Sequence, residues 1–246
     1  MVSHSLFIDL VYFRDIPLYL KKRIPFVIYW NKLGKASNMF KYEIKNACNT
    51  YSYLKGYIKP SDVILDVGSG TGLVAELIGQ RTGAHVVCLD VVQDNHALKK
   101  PIFFDGKSMP FYDEAFTVSI CCFVLHHVPF QKKLLEEMKR VTKSRIIILE
   151  DVVENTTDRF LTLLHKVYSG FRYHSFYTRF RNDHDWRRLF AACGLWVEKD
   201  MDIEKTREIT YPVSRRCYLL SKKRPPVVPC TPHVRPSSRL VYNAQP

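Results

Sequence analysis

From about residue 60 onward, apolar residues in this chain follow two alternating rhythms. VILDV (63–67), HVVCLD (85–90), TVSICCFVL (117–125) and RIIILE (145–150) are short β-branched runs without polar alternation. A strand covered on both faces needs such a run, because both sets of its side chains leave water. Between these runs, LVAELIGQ (73–80) and QKKLLEEMKRV (131–141) repeat apolar residues at helical spacing. The alternation predicts an α/β fold built on a doubly wound, mostly parallel sheet.

The flanks read differently. A helical stretch near Tyr42 to Tyr57 precedes the first strand and is closed by Lys59-Pro60. Residues 151–194 are predicted to be a helical insert rich in Arg, His and aromatics. Its last helix, DWRRLFAAC, is capped by Asn182 or Asp183 and ended by Gly194. LWVEKD (195–200) and RRCYLLSK (215–222) then predict a closing β-hairpin at the sheet edge. Three parts are expected: a basic, aromatic helical segment at 1–45, the α/β domain at 46–222, and a Pro-rich disordered tail at 223–246.

Charge sharpens this division. The 246-residue chain has a formal net charge of +13. Residues 1–45 hold eight Lys/Arg against three Asp/Glu, and residues 212–246 hold seven against none. The middle holds 22 against 21, so the core domain is nearly neutral and makes a poor groove for RNA. Seven cysteines without a CxxC pair indicate neither a disulfide framework nor a zinc site, so no metal is expected and a cytoplasmic, reducing setting fits. The apolar pieces SLFIDLVYF and IPFVIYW are interrupted by charges and proline too soon to span a membrane, which leaves a peripheral membrane contact as an option.

The chemistry concentrates after the first strand, in LDVGSGTG (65–72). Glycines at alternate positions let backbone turn tightly and approach a ligand, and the following helix presents free N–H groups. A dinucleotide fingerprint is GxGxxG, with its third glycine one residue later than here. Asp66 inside the motif would repel a pyrophosphate and suits a cationic group instead. Asp90 closes the second strand, and Asp105 follows a third apolar run in IFFDG.

DVGSGTG resembles motif I of the class I S-adenosylmethionine-dependent methyltransferases. FFDGKSMPFYDEAFTVSI and VLHHV (124–128) are similar, in order and spacing, to the segments that follow it in quinone and other small-molecule members. The resemblance covers roughly residues 40–222 and implies a Rossmann-like seven-stranded sheet with helical cap elements, with S-adenosyl-L-methionine as cofactor. It implies that Gly68, Gly70 and Gly72 lie under the methionine part, with Asp66 near its amino group. Asp90 would take both ribose hydroxyls, Asp105 the adenine amine, and the Gly106 N–H a ring nitrogen. Ser69, Val91 and Cys122 complete the implied cofactor set. Two departures stand out: Thr117 replaces the usual Asp, and no Pro-Gly-Gly turn precedes RIIILE.

Methyl transfer from a sulfonium is an in-line displacement that chiefly needs alignment and exclusion of water. Where the acceptor carries a proton, a base helps, and His126 and His127, just past a strand's carboxyl end, are the candidates. Glu150 and Asp151 share that end and face either an acceptor or a cap helix. Cys121 and Cys122 read as small buried hydrophobes. The expected acceptor is a small-molecule or lipid-like compound methylated on oxygen or carbon, with tRNA or another RNA as the alternative.

Overall fold

The computed structural model describes residues 35–92, 97–173, 177–203 and 213–223, with side chains described from 43 onward and not at 168–173. Most of the N-terminal segment and nearly all of the Pro-rich tail lie outside these residues. Seven strands form one sheet: β1 Val63–Val67, β2 His85–Asp90, β3 Ile102–Phe103, β4 Phe116–Cys122, β5 Thr142–Val152, β6 Trp196–Ile203 and β7 Ser214–Ser221. Their order is β3-β2-β1-β4-β5-β7-β6. β1 to β5 pair in parallel, while β7 runs antiparallel to both β5 and β6. The order reverses at β1, so the crevice beyond the carboxyl ends of β1 and β4 is where such a sheet binds ligands.

Helices cover both faces: α1 Lys35–Leu54, α2 Leu73–Thr82, α3 Gln131–Val141, α4 Thr156–Tyr173 and α5 Asp183–Ala192. On one face Leu65, Val67, Ile146 and Ile148 pack with Leu134, Met138, Trp186 and Phe190. On the other, Ile64, Val118, Ile120 and Ile147 pack with Leu54, Ala75 and Ile78. The unbroken apolar runs of the parallel strands thus feed alternate residues to two separate cores. α1 runs continuously through residue 45 and packs Ile44 and Ala47 on Leu73 and Leu77 of α2.

The expected caps form. Asn182 is the N-cap of α5 and accepts from the Asp185 N–H at 2.7 Å, and Gly194 follows with φ +65°. The strands after β2 differ from the sequence reading at their ends: β5 is longer on both sides, β6 and β7 are shifted by one to three residues, and β4 is shorter. β4 stops at Cys122, because Phe123 turns to φ +59°, and Leu125–His127 forms a 3₁₀ turn. Phe-Val-Leu is apolar enough to continue a strand, yet it serves as the turn that carries the histidines.

The Thr117 departure has a local role at the opposite, amino end of the sheet. Its hydroxyl donates to Asp62 Oδ1 at 3.0 Å and accepts from the Val63 N–H at 2.9 Å. Arg145, at the start of the buried part of β5, donates to Asp62 Oδ2 at 3.1 Å. This clasp joins β1, β4 and β5 away from the ligand end. Thr117→Val should therefore cost about 1–2 kcal/mol in urea denaturation, with cofactor affinity unchanged; unchanged stability would show that the clasp contributes nothing.

Candidate cofactor and acceptor site

The loop after β1 is built on three glycines at positive φ: Gly68 (+73°), Gly70 (+51°) and Gly72 (+71°). Two of them are filled from the protein side. A Cβ on Gly68 would fall 2.5 Å from Val124 Cγ2, and one on Gly72 would fall 3.0 Å from the Lys99 carbonyl oxygen. At Gly70 a Cβ would meet nothing within 4 Å, so this backbone faces open space. Lys99 lies outside every motif and Val124 opens VLHHV without a marked role, because both parts are played only where distant segments meet.

Asp90 holds the loop in place. Its Oδ2 accepts from the Gly70 N–H at 2.8 Å and its Oδ1 from the Val92 N–H at 3.0 Å, leaving lone pairs on both oxygens. Asp66 is different. It is 3% exposed, and its Oδ2 has no hydrogen-bond partner among the described residues. Burial, with help from the Asp90 charge and against that of Lys99, pushes its pKa up to about 7. An unmet buried carboxylate beside open backbone is a seat for a cationic group.

On the far side of Asp90 the remaining predicted residues converge. The Phe104 N–H donates to the Asp90 carbonyl at 3.1 Å, which brings the Asp105-Gly106 turn beside Val91. A Cβ on Gly106 (φ +77°) would lie 3.4 Å from Val91 Cγ1. Asp105 is exposed and spends Oδ1 on the Lys107 and Ser108 N–H groups, which hold its carboxyl below the usual range. Cys122 sits at the end of β4, its thiol driven well above the ordinary value by burial, so it is an inert wall rather than a nucleophile.

The histidine turn lies just beyond. Glu150, fully buried at the end of β5, accepts from the Leu125 N–H at 2.6 Å and pairs with His126 Nδ1 at 2.6 Å. Burial lowers the basicity of His126, but Glu150 more than offsets this and leaves it raised. The other ring nitrogen, Nε2, is buried. His127 is half-buried, and burial together with its neighbours His126 and His165 pushes its pKa down to about 3. Glu150 thus fixes the His126 ring, and His127 lies beside it with centroids 4.1 Å apart. Asp151 instead pairs with Arg215 at 3.0 Å.

A family profile described as Methyltransferase domain matches residues 65–149, which span the glycine loop, Asp90, Asp105 and the histidine turn. The sterol methyltransferase-like 1 protein of Botryococcus braunii is 32% identical over 99 residues, covering 35% of this chain and 25% of that protein. The chain thus spans about a quarter of the curated relative it matches. Among solved structures, geranyl diphosphate C-methyltransferase from Streptomyces coelicolor A3(2) aligns with a TM-score of 0.55 at 13% identity, covering 71% of this chain and 77% of that one. A SAM-dependent methyltransferase from Aquifex aeolicus aligns with a TM-score of 0.51 at 15% identity, covering 70% and 89%. At such identities the solved structures speak for the fold.

The chain carries a class I S-adenosylmethionine-dependent methyltransferase domain. The methyltransferase site fits that cofactor on its own geometry: an unmet buried carboxylate for an ammonium, a carboxylate with spare lone pairs for two hydroxyls, and open backbone at Gly70. Asp66, Asp90 and the Gly68–Gly72 loop would hold it, with Val91 and Gly106 beside the base. When bound, it supplies an electrophilic methyl group on a sulfonium.

A pH dependence follows from Asp66. Its folded pKa, about 7, lies above its ordinary 3.8, so the ligand-free fold keeps its full contribution only below about pH 4 and loses it as pH rises through 7. Asp66→Asn should raise the thermal midpoint of the ligand-free protein at pH 8 by several degrees while weakening cofactor binding by about tenfold or more. An unchanged midpoint together with unchanged affinity would remove Asp66 from the site.

Proposed function

We propose that this methyltransferase domain methylates oxygen or carbon on a small-molecule or lipid-like acceptor. The observation that carries the reading is a cavity of about 170 Å³ between α1 and the carboxyl ends of β4 and β5. Asn46, Asn49, Thr50 and Tyr53 line one side, with Phe123 and Leu149 opposite. Phe123 directly follows Cys122 at the cofactor end of β4, so an acceptor held here lies next to the methyl donor's place. The opening is small and largely apolar, with a few polar groups to orient a ligand, which suits a compact molecule rather than a nucleic-acid strand.

Two further features favour an apolar acceptor. Phe160, Leu163, Leu164 and Val167 of α4 are exposed and fall on one stripe of that helix, opposite the side that buries Asp158 and Thr162. Such a stripe beside the ligand end suits contact with a lipid surface from which an apolar acceptor is drawn. Among the described residues no helix is long and apolar enough to cross a membrane, so the contact would be peripheral. The two relatives whose printed names specify an acceptor, sterol and geranyl diphosphate, point to the same chemical class.

The protein's own part in the reaction is alignment and exclusion of water. The buried ends of β4 and β5 form one wall and α1 the other, so an acceptor nucleophile is held in line with the carbon it attacks. Asn49→Phe, which narrows the cavity from α1, should raise the acceptor KM by about tenfold with cofactor affinity unchanged. Incubating the purified chain with methyl-labelled cofactor and separate lipid, small-molecule and RNA extracts tests the class. Label should enter the lipid or small-molecule fraction; label confined to RNA would overturn the proposal.

A further inference from the structure

Three imidazoles converge at the cap of this domain, and the cofactor site uses none of them. His126 and His127 come from the turn after β4, and His165 comes from α4, far along the chain. One ring nitrogen from each lies within 4.8 Å of the other two. The ring centroids are 4.1 Å apart for His126 and His127, 5.5 Å for His126 and His165, and 5.4 Å for His127 and His165. Histidines gathered this closely gain nothing from one another as cations, and they are too polar to serve as ordinary packing.

We propose that His126, His127 and His165 form a binding site for one divalent transition-metal ion of the zinc type, backed by Glu150. The strongest support is the state of His126. Its Nδ1 is engaged by the Glu150 carboxylate at 2.6 Å, which fixes the ring and leaves Nε2 as the ligand nitrogen. That Nε2 is buried and has no hydrogen-bond partner among the described residues, in a side chain only 2% exposed. A carboxylate behind a histidine whose other nitrogen is unmet is the arrangement that orients imidazole ligands and raises their basicity.

The surroundings hold the ligands ready. Phe180 stacks on the His126 ring with centroids 4.6 Å apart. The Arg179 N–H donates to the His126 carbonyl at 2.7 Å, and Gln131 Nε2 bridges the Leu125 and Arg179 carbonyls. His127 and His165 are both partly buried beside the His126 ring, so the three imidazoles share one pocket. The nearby charges are the Glu150 and Asp151 carboxylates against the Arg215 guanidinium, a balance that favours a cation.

The donor set selects the ion. Imidazole nitrogens suit zinc, iron, cobalt, nickel or copper, whereas magnesium and calcium require oxygen. Tetrahedral Zn–N bonds of about 2.0–2.1 Å place ligand nitrogens roughly 3.3 Å apart, so closure needs only small ring movements. Three protein ligands leave a fourth position open, as in sites that bind a reacting oxygen rather than closed structural ones. The metal also ties α4 to the turn after β4. The absence of a Cys pattern concealed this, because the ligands are histidines brought together by the fold.

The site is independent of which acceptor the enzyme uses. The full chain, stripped with a chelator, is titrated with Zn²⁺ and, separately, with Co²⁺ as a visible-absorption probe. One Zn²⁺ per chain is expected, with a tetrahedral cobalt spectrum. His165→Ala and His127→Ala should weaken Zn²⁺ binding by about a hundredfold or more, and Glu150→Gln by about tenfold to a hundredfold. Cofactor binding by His165→Ala serves as the check on folding, and Asp66→Asn should bind the metal as the native chain does while its cofactor affinity falls by about tenfold or more. Failure of the native chain to bind Zn²⁺ or Co²⁺, or equal affinity in folded His165→Ala and His127→Ala, would overturn the proposal.

Discussion

A carboxylate taken out of water must find a cation or enough hydrogen-bond donors, and the ligand end of this sheet is organised by that demand. Four carboxylates are buried there: Asp66, Asp90, Glu150 and Asp151. Asp90 is met by the N–H groups of Gly70 and Val92, Glu150 by Leu125 and His126, and Asp151 by Arg215. Each of these pairings also positions something: a loop, a histidine turn, the antiparallel strand β7. Asp66 alone keeps an oxygen unmet. Among these four carboxylates the protein thus leaves an oxygen open only at Asp66, where the methyl donor's ammonium would sit.

The parallel sheet makes this arrangement possible. β1, β2, β4 and β5 end side by side, so residues far apart in sequence reach one rim. β1 Val67 pairs with β2 Leu89 and β4 Cys121, which sets Asp66 beside Cys88 and one step from Asp90. Because the backbone turns away at Gly68 and Phe123, both loops leave space rather than fill it. The cofactor crevice and the small cavity under α1 are therefore neighbours along one rim. That adjacency supports the proposal of a compact acceptor, for which the protein would act mainly by alignment.

Much of this was legible in the chain itself. β1 and β2 have the bounds their apolar runs suggested, because β1 runs straight into the glycine turn at Gly68 and β2 closes on Asp90, whose carboxylate is tied to the Gly70 and Val92 N–H groups. The glycine spacing and Asp66 already favour a cationic ligand over a pyrophosphate. β4 was read too long, since Phe123 and Val124 are apolar and nothing local signals a left-handed turn. Val124 against Gly68, Lys99 behind Gly72 and His165 against His126 were illegible for one reason: each depends on contact between distant elements. The histidine pair was visible but its surroundings were not, because Glu150 and His165 of α4 reach it only through the fold.

The reach of the account rests on Asp66 as the seat of the cofactor's ammonium. The most direct measurement is calorimetric titration of the purified chain with S-adenosylhomocysteine and with the same molecule lacking its amino group. Single-site binding of the first is expected, with the deaminated compound weaker by about tenfold to a hundredfold, the value of a charge-assisted hydrogen bond in a buried site. Equal affinities for the two, or no binding of either, would contradict it.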